Sequence, residues 1–334
     1  MVGRAAYASG VLTVEGDTAM RPLSRRLRLT GPFDLARSLR PLCHGRRDPT
    51  ARVEGRTLWR ATRTPAGPAT EAVVAEPGGG AVTAWAWGPG AGWVLDALPE
   101  LIGADPSDLN EQACAATGAR RPPGWHVVGG LARRWPGIRI PRTGAVVEAC
   151  VPTVLEQKVT GIEARRSYRE LILALGDAAP GPVERHGLRL PIDPSVLAAT
   201  PSWSLHRFGI ERHRADTLRR VGAAARRLEE AASMKPPGAR RRLTAVVGLG
   251  PWSAAEVGMV ALGDADAVSV GDFHLPNQVA WALAGIPRGD DAMMLELLEP
   301  WRGQRGRVLR WLAMEGITAP KWGPRMPIRS FRGF

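Results

Sequence analysis

The strongest constraint on the fold is a change of period partway along the chain. Before about residue 106, short runs alternate polar and apolar residues. Beyond it, apolar residues recur at helical spacing. Residues 25–30 alternate as a half-buried strand does, and residues 57–64, 71–76 and 81–87 read as three further strands. Gly78-Gly79-Gly80 separates two of them as a turn, and residues 33–39 carry the spacing of a helix. Helical patterns then cover residues 108–117, 144–160, 163–176, 194–200, 203–208, 212–232, 239–247, 253–262, 274–284, 291–299 and 306–314. Residues 177–192, rich in Pro and Gly, read as a loop, and residues 234–238 as a separator between two helices. The fold class is therefore α+β. An antiparallel β-sheet domain with helices is expected over residues 21–106, and an all-α unit in two lobes over residues 107–320. Residues 1–20 carry little pattern and are expected to be a disordered or misassigned extension. Residues 321–334 form an Arg-rich tail without periodicity.

Composition narrows the partners. The 334 residues hold 45 Lys and Arg against 32 Asp and Glu, a formal net charge of +13. All but Lys158, Lys235 and Lys321 of the basic residues are Arg. A GC-rich genome explains the choice of Arg over Lys, but the positive total still attracts polyanions, and the guanidinium fork suits phosphate. The sequence shows neither a basic amphipathic helix nor an apolar run of membrane length, so nucleic acid is preferred to a membrane surface as the partner. The start lacks a charged segment followed by an apolar core, as a signal peptide would have. Cys43, Cys114 and Cys150 are odd in number and widely spaced, which suits neither a disulfide framework nor a zinc site. A reducing cytoplasm is the expected compartment.

The chemistry concentrates in residues 243–255. Val246 and Val247 are expected to end one helix, Gly248 and Gly250 to permit a tight turn, and Pro251 to open the next helix. Such a turn exposes backbone N–H groups at a helix start, where an anion binds. Read alone, it is also an ordinary connection between two helices. Asp272 lies twenty residues beyond Trp252, after Val268-Ser269-Val270-Gly271 and before a helical pattern. As an isolated residue it is a helix cap; held at a cleft, it is also a carboxylate able to stabilise developing positive charge.

Together, Leu243 to Ala255 and Asp272 resemble the helix–hairpin–helix DNA glycosylase superfamily, and within it the 3-methyladenine DNA glycosylase II, or alkylbase, branch. The resemblance extends to Thr153-Val154-Leu155-Glu156-Gln157-Lys158-Val159-Thr160 and to Trp301-Arg302 and Trp311. It implies hydrolysis of the N-glycosidic bond of alkylated purines, of the 3-methyladenine and 7-methylguanine type, in double-stranded DNA during base excision repair. Asp272 is then the catalytic residue, acting on a nucleotide flipped from the duplex. Trp252, Glu256, His274 and Trp311 are the implied base pocket, its tryptophans favouring a cationic base by cation–π stacking. Gln157, Lys158, Gly248, Gly250 and Ser253 are the implied DNA contacts.

Lys158 falls where the branch fills the gap left by the flipped base; its alternatives are a phosphate, the orphaned base or solvent. Glu256 stands where an aromatic residue is expected, and attracts a cationic base, bonds an exocyclic amine or faces solvent. His274 touches base or Asp272, or serves only a local hydrogen bond.

Bifunctional members carry Lys at the position of Trp252, so a monofunctional enzyme without lyase chemistry is implied. No Cys follows Cys150, so no iron–sulfur cluster is implied. No cofactor is required, but main-chain carbonyls of Thr244, Val246 and Leu249 match those that hold a structural Na⁺ or K⁺. The expected state is a monomer, cytoplasmic and nucleoid-associated. Two other readings remain: a non-catalytic hairpin protein that binds DNA, and a glycosylase for oxidised or deaminated bases. Trp59, Trp85, Trp87, Trp125, Trp135 and Trp203 read as packing residues.

Overall fold

A computed structural model describes residues 21–103, 121–182 and 187–320. The helix expected at residues 108–117, the extension at 1–20 and the tail at 321–334 lie outside them.

Five strands form one antiparallel sheet in the order β1-β5-β4-β3-β2: β1 Leu23–Arg28, β2 Ala51–Glu54, β3 Thr57–Thr64, β4 Gly67–Ala75 and β5 Ala81–Trp87. Equally tight hairpins join β2 to β3, with Glu54 opposite Thr57, and β3 to β4, with Thr64 opposite Gly67. Alternation along β3 sends Leu58 to one face and Trp59 to the other. Leu58, Val73, Val82 and Ala84 pack with α1 (Leu35–Leu39), α2 (Ala91–Asp96) and α3 (Leu98–Leu101). Trp59 and Trp87 stack on the opposite face with ring centroids 5.9 Å apart, under Ala179, Leu188 and Leu190. Of the stretch expected as a loop at 177–192, Ala179, Leu188 and Leu190 thus cover the second face of the sheet, beside a bridge between Ala178 and Arg189.

Helices follow: α4 Trp125–Arg134, α5 Val146–Leu155, α6 Gly161–Leu175, α7 Pro194–Ala199, α8 Arg212–Ala223, α9 Ala225–Glu229, α10 Pro236–Thr244, α11 Pro251–Ala261, α12 Leu275–Ala284, α13 Asp291–Leu298 and α14 Arg305–Met314. Helix α5 is buried along its whole length, as its near-continuous apolar sequence requires. It anchors a core with Leu171, Leu218, Leu243 and Val257 from α6, α8, α10 and α11. Both oxygens of Glu229 accept its first amides, Val146 N and Val147 N, at 2.9 Å. A second core gathers Val128, Val279, Leu298, Trp301 and Trp311 from α4 and the helices after α11.

Several boundaries differ from the sequence expectation. Helix 144–160 ends at Leu155, so residues 156–160 form a connection in which Lys158 has φ +54°. Helix 212–232 breaks into α8, α9 and a short 3-10 turn. Helix 239–247 is displaced to Pro236–Thr244, with Pro236 in its first turn, so residues 234–238 do not merely separate helices.

Candidate functional site

The site is assembled at the junction of the residue 156–160 connection, the turn between α10 and α11, and the start of α12. Val246 and Val247 belong to this turn rather than to the helix before it. The two glycines serve different ends. Gly248 has φ +103°, and a Cβ there would lie 2.1 Å from Thr217 Oγ1 on α8, so only glycine fits. Gly250 has φ −90°, open to any residue, and occupies the N-cap of α11 with nothing within 4 Å of an added Cβ. Its lack of a side chain leaves the first amides of α11 open to an anion.

Gln157 and Ser253 brace this turn. Gln157 Nε2 donates to Gly248 O at 2.8 Å and to Ser253 Oγ at 3.0 Å. The Ser253 side chain is buried, so only its backbone N–H is left for the DNA contact expected of it. Lys158, directly after Gln157, is exposed and held in the left-handed region, a conformation that is strained for a residue with a Cβ.

Asp272 is joined to the first turn of α11. Trp252 Nε1–H donates to Asp272 Oδ2 at 3.0 Å. Asp272 Oδ1 accepts the amides of His274 at 2.7 Å and Leu275 at 2.9 Å. Asp272 therefore caps α12 from two residues before the N-cap position, which His274 itself occupies. One carboxylate oxygen is fixed by a helix start and the other by an indole, so the rotamer is locked while lone pairs remain on both oxygens.

Glu256 stands one turn after Trp252 on α11 and accepts a hydrogen bond from Ser269 Oγ. Its burial and the nearby Asp272 charge push its carboxyl up, and the Ser269 bond works against them. Glu156 was not among the residues singled out by sequence. It keeps solvent access, yet the surrounding protein and the Glu256 carboxylate push it up to about 7, with Arg165 opposing. Glu156, Glu256 and Asp272 thus form a chain of interacting carboxylates. The available signal was position: Glu156 adjoins Gln157 inside the quoted motif.

His274 is exposed and meets the ring of Phe273 edge-on at 4.9 Å. Phe273, also missed by sequence, is 81% exposed beside Asp272, where a buried-core reading of an aromatic fails. Trp311 corrects an expectation outright: it is 0% exposed within the second core, among Val308, Leu309 and Leu312, and presents no face to a base. Of the expected pocket residues, the structure joins Trp252 to Asp272 and sets Glu256 and His274 beside that pair; Trp311 lies behind them in the core.

No protein-family model matches the chain. Over 237 residues, 70% of its length, it is 30% identical to a Mycobacterium tuberculosis protein named probable bifunctional transcriptional activator/DNA repair enzyme AlkA. The chain spans 42% of the length of that relative. Its fold is similar to 3-methyladenine DNA-glycosylase from Archaeoglobus fulgidus, with a TM-score of 0.72 at 17% identity, covering 87% of this chain and 97% of that one. An 8-oxoguanine glycosylase/lyase of Clostridium acetobutylicum, in complex with double-stranded DNA, follows at a TM-score of 0.65 and 13% identity, covering 89% and 98%. In sequence the chain is thus similar to an AlkA-named repair protein, and in fold to helix–hairpin–helix DNA glycosylases.

Proposed function

We propose that this protein is a monofunctional DNA glycosylase that releases alkylated purines from duplex DNA. The observation that carries the reading is the Trp252–Asp272 hydrogen bond, which ties the anion-binding turn to a fixed carboxylate. A duplex strand held at the amides beyond Gly250 brings a flipped nucleotide toward Asp272. As the C1′–N bond breaks, its electron pair leaves with the base and positive charge develops on the sugar. The Asp272 carboxylate stabilises that charge and orients the attacking water, which forms the new C1′–O bond. The water proton passes to Asp272, leaving a free base and an abasic site. A purine alkylated on a ring nitrogen already carries positive charge and needs little help from an acid to depart. The Trp252 ring and the Glu256 carboxylate both favour such a cation.

Position 252 offers no amine for a Schiff base, which supports hydrolysis rather than strand cleavage. The hairpin carbonyls of Thr244, Val246 and Leu249 are hard oxygen donors suited to Na⁺ or K⁺, although Val246 O already accepts Leu249 N–H at 2.9 Å. When bound, such an ion would offset phosphate charge without entering the reaction. The protein is read as a monomer associated with the nucleoid. Among the described residues no helix is long and apolar enough to cross a membrane.

The test is release of 3-methyladenine or 7-methylguanine from an alkylated duplex. Asp272→Asn is expected to reduce release by roughly 10²–10³-fold while duplex binding persists. Undiminished release by that variant, or a borohydride-trapped covalent adduct with the parent protein, would overturn the reading.

A further inference from the structure

A groove beside the hairpin is left unused by this reading. Its volume is about 380 Å³, Leu228 and Val246 form its floor, and Arg220, Arg227 and Arg242 stand around it. The three arginines come from the ends of α8, α9 and α10, which converge there. Arg220 Nη1 reaches Val247 O, in the turn itself, at 3.5 Å. Arg242 Nη1 donates to Arg227 O at 3.0 Å and pairs with Glu230, which fixes it against the second helix. Arg220 and Arg227 are exposed, and neither enters an ion pair among the described residues. Val247, at the mouth, is 68% exposed.

We propose that this groove carries the sugar–phosphate backbone of the bound duplex away from the hairpin, extending the footprint beyond the lesion. Arg242 is paired with Glu230, so Arg220 and Arg227 supply the positive charge that draws a polyanion into the groove. The mixture of aliphatic floor and arginine rim matches a strand that alternates deoxyribose with phosphate. Continuity selects the duplex over an acidic peptide: residues 245–247 line the groove and run directly into Gly248 and Gly250, so a strand held at those amides passes its mouth. The inference rests on the reading of the chain as an enzyme of duplex DNA, and adds contacts independent of the base.

The experiment measures binding of a long duplex containing an abasic-site analogue, by fluorescence anisotropy, between about 50 and 200 mM salt. The double variant Arg220→Gln, Arg227→Gln is expected to lower the slope of log affinity against log salt by roughly 1.8, about 0.9 for each phosphate lost, and to weaken binding about tenfold at the lowest salt. Shortening the duplex on one flank should erase the difference between variant and parent, and shortening the other should not. Arg220→Lys with Arg227→Lys, which keeps both charges, should bind within about twofold of the parent. An unchanged slope and affinity for the glutamine pair overturns the proposal, whether the groove then serves an acidic peptide or nothing. A loss in the lysine pair as large as in the glutamine pair assigns the effect to the fold and also overturns it. Base release is scored on the same duplex carrying an alkylated purine. Groove dependence without any release would overturn the glycosylase reading and leave the groove standing; release without groove dependence would do the reverse.

Discussion

Two places in this molecule gather carboxylates, and they treat the charge in opposite ways. Between the sheet and α5, Arg60 Nη1 donates to Glu71 at 2.9 Å and Nη2 to Glu148 at 3.3 Å. Glu148 also accepts Thr62 Oγ1 at 2.8 Å and Arg63 N at 2.7 Å. Burial pushes the Glu71 carboxyl up and Arg60 pulls against it, leaving Glu71 Oε2 as the atom without a partner. Beside the hairpin, Glu156, Glu256 and Asp272 press on one another, and their bonds come from a hydroxyl, an indole and amides rather than from a guanidinium. A compensated cluster serves to join two parts of the fold. Where carboxylates outnumber the cation that opposes them, here Arg165, a cationic ligand can relieve their repulsion, which is the reason to look for chemistry at the second and not the first.

Removing the single cation of the first cluster should have the largest effect. Arg60→Met leaves Glu71 and Glu148 uncompensated and is expected to destabilise the protein by about 3–5 kcal/mol, read by chemical denaturation. If that variant unfolds like the parent, the contrast between the two clusters is lost. Next is the turn that positions the second cluster. Gly248→Ala forces a left-handed residue against Thr217 and should cost roughly 1–3 kcal/mol, whereas Gly250→Ala should leave the melting midpoint in place. Equal losses at both positions would show that the turn is held by something other than the Gly248–Thr217 contact. Trp252→Phe keeps a ring but deletes the bond to Asp272, and base release should fall about tenfold, the worth of a charge-assisted hydrogen bond. An unchanged rate would mean that Asp272 is positioned by α12 alone.

The smallest effect concerns pH. Glu156 is raised on folding from its ordinary 4.5 to about 7, so the folded chain keeps a proton that the unfolded chain releases. The contribution of Glu156 to stability is therefore fully present below about pH 4.5 and is lost as pH rises toward about 7. Glu256→Gln removes the like charge, lowers the Glu156 value and should make that decline shallower in a series of melts. The parent's pH dependence persisting unaltered in this variant would separate the two carboxylates.

What sequence revealed and what it hid follow from the range of the forces involved. Strand β3 was bounded correctly at Thr57–Thr64 because both its alternation and its turn are local. Strand β2, Ala-Arg-Val-Glu, was missed: four residues with one large apolar side chain carry too little period, and it exists because β3 offers an edge to pair with. Asp272 and Trp252 were legible as residues at a fixed spacing, and their hydrogen bond fits that reading. Trp311 was misplaced because an aromatic spaced along a helix looks the same whether it lines a pocket or fills a core, and only tertiary packing decides. Glu156 escaped notice for the converse reason. Its environment is made by Glu256, a hundred residues away in sequence, and no local pattern announces that meeting.

Gln157 has a consequence for anyone who rebuilds this protein. One amide group bonds Gly248 O in the loop and Ser253 Oγ in the helix after it, while the same short connection presents Lys158. The turn before α11 and the exposed Lys158 side chain therefore hang from a single bracket. A hairpin transplanted from a relative without its partner at position 157 would arrive untethered, and a library that varies position 158 will move the hairpin as well as the side chain.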